Sequence, residues 1–387
     1  MARADTVVRP AGRGLARQHV LTALLAEAGL VLVLVLVLAR LYVAAGGVAA
    51  LGLLLLVVPV KGRSLGAWAR RAVAYARRRP TGWVAADVPE DLVPLAEWVP
   101  GLTVTQTAFG RDGELGVIAD GQAWTAVLAL TSDDELLADK GEAIDLDALS
   151  GLTRQDDIIF AGVQVVTYTV PAPTTVLLGG DSQAAKAYRE ITSTAIPPTL
   201  RRTWLCLRLD PRLCLEAVAR RGASNDGVFA TLRFGLHRVQ TVLKRQGIVT
   251  RALAPVELFE VMSLVAGSGP EPGSARTKEG WSSWTCDGLV HCGRMVRRWG
   301  ATASIGYQQL QDAIAEAPVL FAVTSYTLTP SRRATGGLRL VTIDAEGAQT
   351  AMAFTQERLA GNVRLDAAGG SQVPTLLATV PLGRGSR

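Results

Sequence analysis

Two aspartates, Asp145 and Asp147, are the first candidates for chemistry, because they form an Asp-x-Asp pattern. Carboxylates two residues apart can face one hard cation, and many glycosyltransferases hold a divalent metal on a sugar nucleotide through this pattern. Aspartates are also common where a helix begins, since their oxygens accept hydrogen bonds from the first backbone N–H groups. We favour a capping role, and metal-dependent glycosyl transfer is the alternative.

A second cluster, Cys286, Asp287, His291 and Cys292, has the residue types of a zinc site. Structural zinc sites usually pair cysteines two to four residues apart, with a second pair elsewhere. Here five residues separate Cys286 from Cys292, and no second pair follows. We therefore interpret the cysteines as small buried residues and expect neither a metal ion nor a cofactor.

Common catalytic signatures are missing from the sequence. It has no G-x-x-x-x-G-K-[ST] phosphate loop, no G-x-S-x-G elbow and no H-E-x-x-H metal motif. The three histidines are His19, His237 and His291, so histidine-based triads have few candidates. We predict that the chain is not an enzyme.

A nearly unbroken apolar run from Val20 to Val60 is the strongest organising feature, interrupted only by Glu27 and Arg40. A membrane-spanning helix needs about 20 mainly apolar residues, so the run predicts two spans, Val20–Ala39 and Leu41–Val60. An ionisable side chain within a span faces a protein partner or reaches towards the headgroups, and glycines permit close helix packing. We therefore predict partner contacts in the membrane at Glu27, Gly46, Gly47 and Gly52.

Basic residues flank the apolar run on both sides. Because such residues collect on the cytoplasmic side, we expect a multi-pass protein of the inner (plasma) membrane with its N-terminus and large C-terminal domain in the cytoplasm. The segment after the run mixes cations with Trp68 and Tyr75, which is typical of a helix on an anionic lipid surface; a simple stop-transfer flank is the alternative. The predicted lipid contacts are Lys61, Arg63, Arg70, Arg71, Arg77, Arg78 and Arg79.

The net charge of +6 hides an uneven distribution. Residues 1–80 hold twelve Lys and Arg against two acids, whereas residues 81–387 hold 28 Lys and Arg against 32 acids. A nucleic-acid-binding domain would concentrate positive charge on its folded part. The distribution therefore favours anionic lipid near the membrane and excludes nucleic acid as a partner.

Beyond residue 100, strand and helix patterns alternate, which predicts a mixed α/β domain. The clearest helix covers 226–246, where apolar residues recur at spacings of three and four. No repeat of solenoid period is visible. The expected organisation is a basic cytoplasmic N-terminus (1–19), two transmembrane helices (20–60), a basic juxtamembrane segment (61–80), a connector (81–100), a cytoplasmic α/β domain (101–370) and a polar C-terminal tail (371–387).

The order of these features, together with three stretches of the domain, resembles the EccE family of type VII (ESX) secretion systems. The stretches are Arg202-Thr-Trp-Leu-Cys-Leu-Arg-Leu-Asp-Pro211, Ala217-Val-Ala-Arg-Arg-Gly222 and Arg251-Ala-Leu-Ala-Pro-Val-Glu-Leu258.

The resemblance implies a structural subunit of an inner-membrane secretion complex. Its partners would be EccB, the ATPase EccC and EccD, with EccD expected to make the direct contact. No catalytic residues are carried over by the resemblance. A membrane-tethered glycosyltransferase-like enzyme using Asp145 and Asp147 remains the alternative.

Overall fold

The structure is a computed structural model of the 387-residue chain. It describes residues 27–57, 59–60, 63–82, 84, 88–110, 113–131, 145–171, 182–183, 186–187, 190, 199–222, 224–269, 276–331, 334–359, 361–366 and 369–385. The chain divides into two compact units, with the boundary between residues 79 and 80, and each is described by itself.

The N-terminal unit contains two apolar helical segments followed by a basic helix. Residues 27–38 are helical, and Arg40, with φ of 60°, turns the chain into helix α1. A short hairpin leads to helix α2, whose first turn is capped by Ser64, since its Oγ accepts a hydrogen bond from the Ala67 N–H at 3.3 Å. The elements are α1 (Tyr42–Val57), β1 (Pro59–Val60), β2 (Arg63–Ser64) and α2 (Leu65–Arg77).

The second unit is built on a sheet of 13 described strands, all paired antiparallel. The strands are β3 (Thr103–Phe109), β4 (Gly113–Ala119), β5 (Trp124–Thr131), β6 (Arg154–Gln155), β7 (Ile158–Val170), β8 (Leu200–Leu209), β9 (Val249–Ala252), β10 (Thr277–Glu279), β11 (Trp284–Cys286), β12 (Leu289–Arg298), β13 (Phe321–Leu328), β14 (Ala334–Thr342) and β15 (Arg364–Leu365). The main order of hydrogen-bonded neighbours is β10-β11-β12-β14-β13-β7-β8-β5-β4-β3, while β15 pairs with β12, β6 with β7 and β9 with β5.

Helices cover both faces of this sheet, because its central strands are apolar on both sides. On β8, for example, Trp204 and Cys206 belong to one core, whereas Leu205 and Leu207 belong to another. The helices are α3 (Val93–Ala96), α4 (Leu215–Arg221), α5 (Ser224–Arg245), α6 (Pro255–Ala266), α7 (Ala303–Ala315), α8 (Ala345–Arg358) and α9 (Gln372–Thr379). The face with Trp204 and Cys206 carries α3, α6 and α9, and the opposite face carries α4, α5, α7 and α8.

The second unit consists of two halves with the same topology. We call β3 to α6 the first half and β10 to α9 the second half. Each contains a three-strand meander, two further long strands, a helix (α5 or α8), a short strand that pairs with the third strand, and a final helix; β6 and α4 are additional in the first half and α7 in the second. The halves join through antiparallel pairing of β7 with β13, where Thr167 lies opposite Thr324. One domain is thus assembled from two topological repeats.

The predicted mixed α/β class is confirmed, and the predicted helix over 226–246 is found as α5. The exception is the C-terminal end, which the sequence analysis treats as a polar tail. Residues Gln372–Thr379 form α9 instead, and Leu376, Val380 and Leu382 lie in the core. The predicted connector likewise contributes Leu92 and Leu95 to that core. The apolar residues of both segments were too few for a clear periodic signal, but burying them on the sheet is favourable.

Candidate functional site

The predicted membrane contacts lie in the two apolar helical segments of the N-terminal unit, 27–38 and α1. Glu27 is exposed at the start of the described helix, and a Cβ placed on Gly46, Gly47 or Gly52 would meet no atom of the described chain beyond its own helix within 4 Å. Among the described residues, no helix is both long and apolar enough to cross a membrane. The predicted span 41–60 contains a helix of only 16 residues, and residues 20–26 of the predicted first span lie outside the described residues.

The predicted lipid-contact residues cluster on and around α2. Arg70 and Arg77 lie seven residues apart and therefore share one side of this helix, whereas Leu65, Trp68 and Ala72 share the other. Trp68 and Val73 are exposed. Arg71 also lies on α2, and Arg78 and Arg79 follow its last residue. Arg63 lies in β2, and Lys61 lies outside the described residues.

The first aspartate of the Asp-x-Asp pattern bonds the backbone at the start of a short helix. The Asp145 Oδ1 accepts hydrogen bonds from the N–H groups of Asp147 and Ala148, at 3.0 and 3.2 Å. Ala148 is the first residue of the 3₁₀ helix Ala148–Thr153, and the side chain of its N-cap residue, Asp147, makes no capping hydrogen bond. The Asp145 carboxylate is thus engaged with the backbone, in agreement with the capping interpretation.

The cysteines of the zinc-like cluster lie on opposite faces of the sheet. Cys286 is part of the core beneath α6 and α9, whereas Cys292 is part of the core beneath α7 and α8. Burial raises the pKa of both thiols. The His291 Nδ1 is 2.8 Å from a guanidinium nitrogen of Arg339. This arrangement cannot place both sulfurs on one metal ion.

Two buried arginines that the sequence analysis did not single out link the halves of the domain. Arg208 lies on β8 and Arg339 on β14, strands that occupy the same place in their halves. Each lies within a Leu-Arg-Leu triplet, 207–209 and 338–340. This repeated triplet is the sequence signal that could have revealed them.

Arg208 is held by a carboxylate and by the C-terminal end of the chain. Its Nη1 lies 2.5 Å from the Asp120 Oδ2 and donates a hydrogen bond to the Leu382 carbonyl at 3.0 Å. The Arg384 Nε also donates to Asp120, at 2.7 Å. Although burial raises the pKa of Asp120, the two guanidiniums outweigh it and lower that pKa to about 2.

Arg339 is held by three neutral groups. Its Nη2 donates to the Val265 carbonyl, in the last turn of α6, and its Nε donates to the Thr379 hydroxyl at 3.0 Å. The third partner is His291, whose pKa is lowered well below its usual value by burial and by the Arg339 charge. Because the C-terminal end of a helix carries partial negative charge, the Val265 carbonyl partly compensates the guanidinium. Burial nevertheless lowers the pKa of Arg339 to about 9.

These contacts form a reciprocal exchange between the halves. Arg339 of the second half binds the end of α6, the last helix of the first half, while Arg208 of the first half binds Leu382, just beyond α9. Gln164 adds to the second contact, since its side chain donates to the Ala378 carbonyl and accepts from the Gly383 N–H, both at 2.7 Å. The two halves are therefore joined by polar contacts as well as by the sheet.

One segment of the second unit matches a known protein family. The family model described as "Putative type VII ESX secretion system translocon, EccE" matches residues 198–293. The predicted resemblance to EccE is confirmed. The EccE match begins just before β8, includes α4, α5, β9, α6, β10 and β11, and ends within β12. A search of curated proteins gave no match to the chain.

Proposed function

We propose that this chain is a structural subunit of a type VII (ESX) secretion complex and that it acts without catalysis. The observation that carries this proposal is the EccE match over residues 198–293. The engagement of Asp145 in a cap and the separation of Cys286 from Cys292 give no support to a metal-dependent activity at these residues. The proposed role is to hold other subunits in place.

Membrane association through the two apolar segments is the second part of the proposal. Large apolar side chains are exposed along these segments, as at Leu30, Leu38 and Val43, where exposure reaches 92%. Such a surface is unfavourable in water and is typical of a site that contacts lipid or another protein. We propose that it packs against partner helices through Glu27, Gly46, Gly47 and Gly52, with α2 on the anionic cytoplasmic leaflet.

The family resemblance supplies the proposed partners. These are EccB, EccC and EccD, with EccC as the ATPase and EccD in direct contact with this chain. The proposed topology places the N-terminus and the large domain in the cytoplasm, because basic residues flank the two apolar segments on both sides.

Affinity purification of the tagged full chain from its own membranes tests this function. We expect a large complex containing an FtsK/SpoIIIE-type ATPase and a many-span membrane protein, identified by mass spectrometry. A variant that lacks residues 20–60 should lose membrane association, whereas Asp145→Asn with Asp147→Asn should leave the complex unchanged. Recovery of the full chain alone, from membranes that contain every other component, would contradict the proposal.

A further inference from the structure

The outward side of α4 and α5 is a basic surface on an otherwise acidic part of the chain. Residues 211–245 hold seven Lys and Arg against two acids, and Asp156 and Asp157 beside them bring the acids to four, whereas the rest of 81–387 holds 21 Lys and Arg against 28 acids. Clustered charge of one sign attracts partners of the opposite sign and sets their orientation. This surface therefore favours an acidic partner.

One stripe of α5 combines this charge with exposed apolar groups. Phe234, Arg238, Thr241, Val242 and Arg245 recur at helical spacing and share the side of α5 that points away from the sheet. We call these five residues the Phe234 stripe. Phe234 is 45% exposed and Val242 is 37% exposed. The opposite side of α5 is buried through Val228, Leu232, Leu236, Val239 and Leu243.

Two arginines flank the Phe234 ring. The guanidinium carbons of Arg221 and Arg238 lie 4.9 and 5.3 Å from its centroid, which is cation–π distance. Asp157 contacts Arg221 at 2.7 Å, and Asp156 contacts Arg238 at 2.5 Å. These ion pairs hold the guanidiniums in place beside the ring. Exposed aromatic and arginine side chains held in this way have the composition of binding hot spots.

We propose that the Phe234 stripe, together with Arg221, is the surface on which an acidic segment of a partner protein docks. This inference rests on the proposed function, because it names the docking face of a subunit in a complex. The aspartates beside the arginines favour a protein over a lipid surface. Asp156 is exposed, so a continuous anionic headgroup layer would meet its charge, whereas separate carboxylates on a polypeptide can avoid it.

Site-specific photo-crosslinking in the full chain tests the inference. A photoreactive phenylalanine analogue replaces Thr241, which is exposed between Arg238 and Arg245, in cells that make the other components of the complex. We expect a covalent adduct with an acidic stretch of one partner. Arg238→Glu should reduce its yield about tenfold, and replacing the crosslinked acid by lysine should restore it.

The matched control places the same analogue at Ile305, which is exposed on α7 of the second half and should give no such adduct. Phe234→Leu keeps an apolar side chain but removes the ring, so it should weaken the adduct without unfolding the domain. Adducts with lipid alone, or an intact purified complex without the Thr241 adduct, would overturn the docking face and leave the proposed function standing. Absence of any complex would overturn both.

Discussion

Each half of the domain buries one arginine on an inner strand, but the two arginines are stabilised by different partners. Arg208 in the first half faces the Asp120 carboxylate, whereas Arg339 in the second half contacts a helix-end carbonyl, a hydroxyl and a neutral histidine. A buried ion pair is strongly destabilised when one partner is removed, because an uncompensated charge remains. A buried cation held by neutral groups has no opposite charge to leave behind. The same topology thus carries two contacts with different sensitivities.

The difference also shows where each half depends on the other. From the other half, Arg339 needs the end of α6, which lies earlier in the chain, whereas Arg208 needs the chain around Leu382, among the last residues that the structure describes. A Cβ placed on Gly383, with φ of +63°, would lie 2.5 Å from the Cβ of Arg208, so the chain passes close over β8. The first half is completed by the C-terminal end of the second.

The largest effect is expected from removing that end. A chain that stops at Pro381 loses the buried Leu382 side chain, the carbonyl that Arg208 binds and the Arg384–Asp120 contact. We expect the free energy of unfolding to fall by about 4 kcal/mol, measured by denaturant titration. A chain that stops at Gly385 is the control and should unfold like the full chain. Equal stability of the two truncations would contradict the reciprocal contact.

A smaller effect with a pH signature is expected for Asp120→Asn. At neutral pH it leaves Arg208 and Arg384 without their carboxylate, and the loss should be about 3 kcal/mol. The pKa of Asp120 is lowered to about 2 from 3.8, so its contribution to stability is fully present above about pH 4 and is lost as the pH falls towards 2.

Unfolding titrations between pH 7 and pH 2 check this prediction. The stability curves of the wild type and Asp120→Asn should converge at the acidic end, where the wild-type carboxyl is protonated. Asp312→Asn, at an exposed carboxylate, is the control and should cost less than about 0.5 kcal/mol. A gap between the curves that stays constant down to pH 2 would show that Asp120 is not held by the two guanidiniums.

The sequence predicted the elements of this domain well where local patterns are strong. The helix predicted at 226–246 is found as α5, Ser224–Arg245, within two residues of its predicted bounds. The repeat of the two halves was not predicted, because it lies in the order of strand pairing and not in residue period. The Asp120–Arg208–Arg384 site joins residues that are 88 to 264 positions apart in sequence. Local patterns cannot predict contacts over such separations, as between Asp120 and Arg384.

The candidate site was predictable in a similar, partial way. Capping by Asp145 follows from residue type and local position, so sequence reasoning reached it. The opposite faces of Cys286 and Cys292 follow from strand alternation once the β11–β12 hairpin is known. The helical spacing of the Phe234 stripe can be read from the sequence. The positions of Arg221 and Arg238 beside the Phe234 ring cannot, because they depend on the packing of α4 against α5 and on the turn at Asp156.

The smallest effect is expected from Arg339→Met. It leaves the Val265 carbonyl, the Thr379 hydroxyl and His291 without their donor, but no carboxylate loses its counter-ion, so the loss should be about 2 kcal/mol. None of these partners is a carboxylate, and the pKa of His291 is lowered well below its usual value by burial and by the Arg339 charge, so the loss is measured at pH 7 by denaturant titration. Arg298→Met, at an exposed position of β12, is the control and should unfold like the wild type. If Arg339→Met cost as much as Asp120→Asn at pH 7, the neutral partners would not make this site less sensitive, and the two halves would be alike after all.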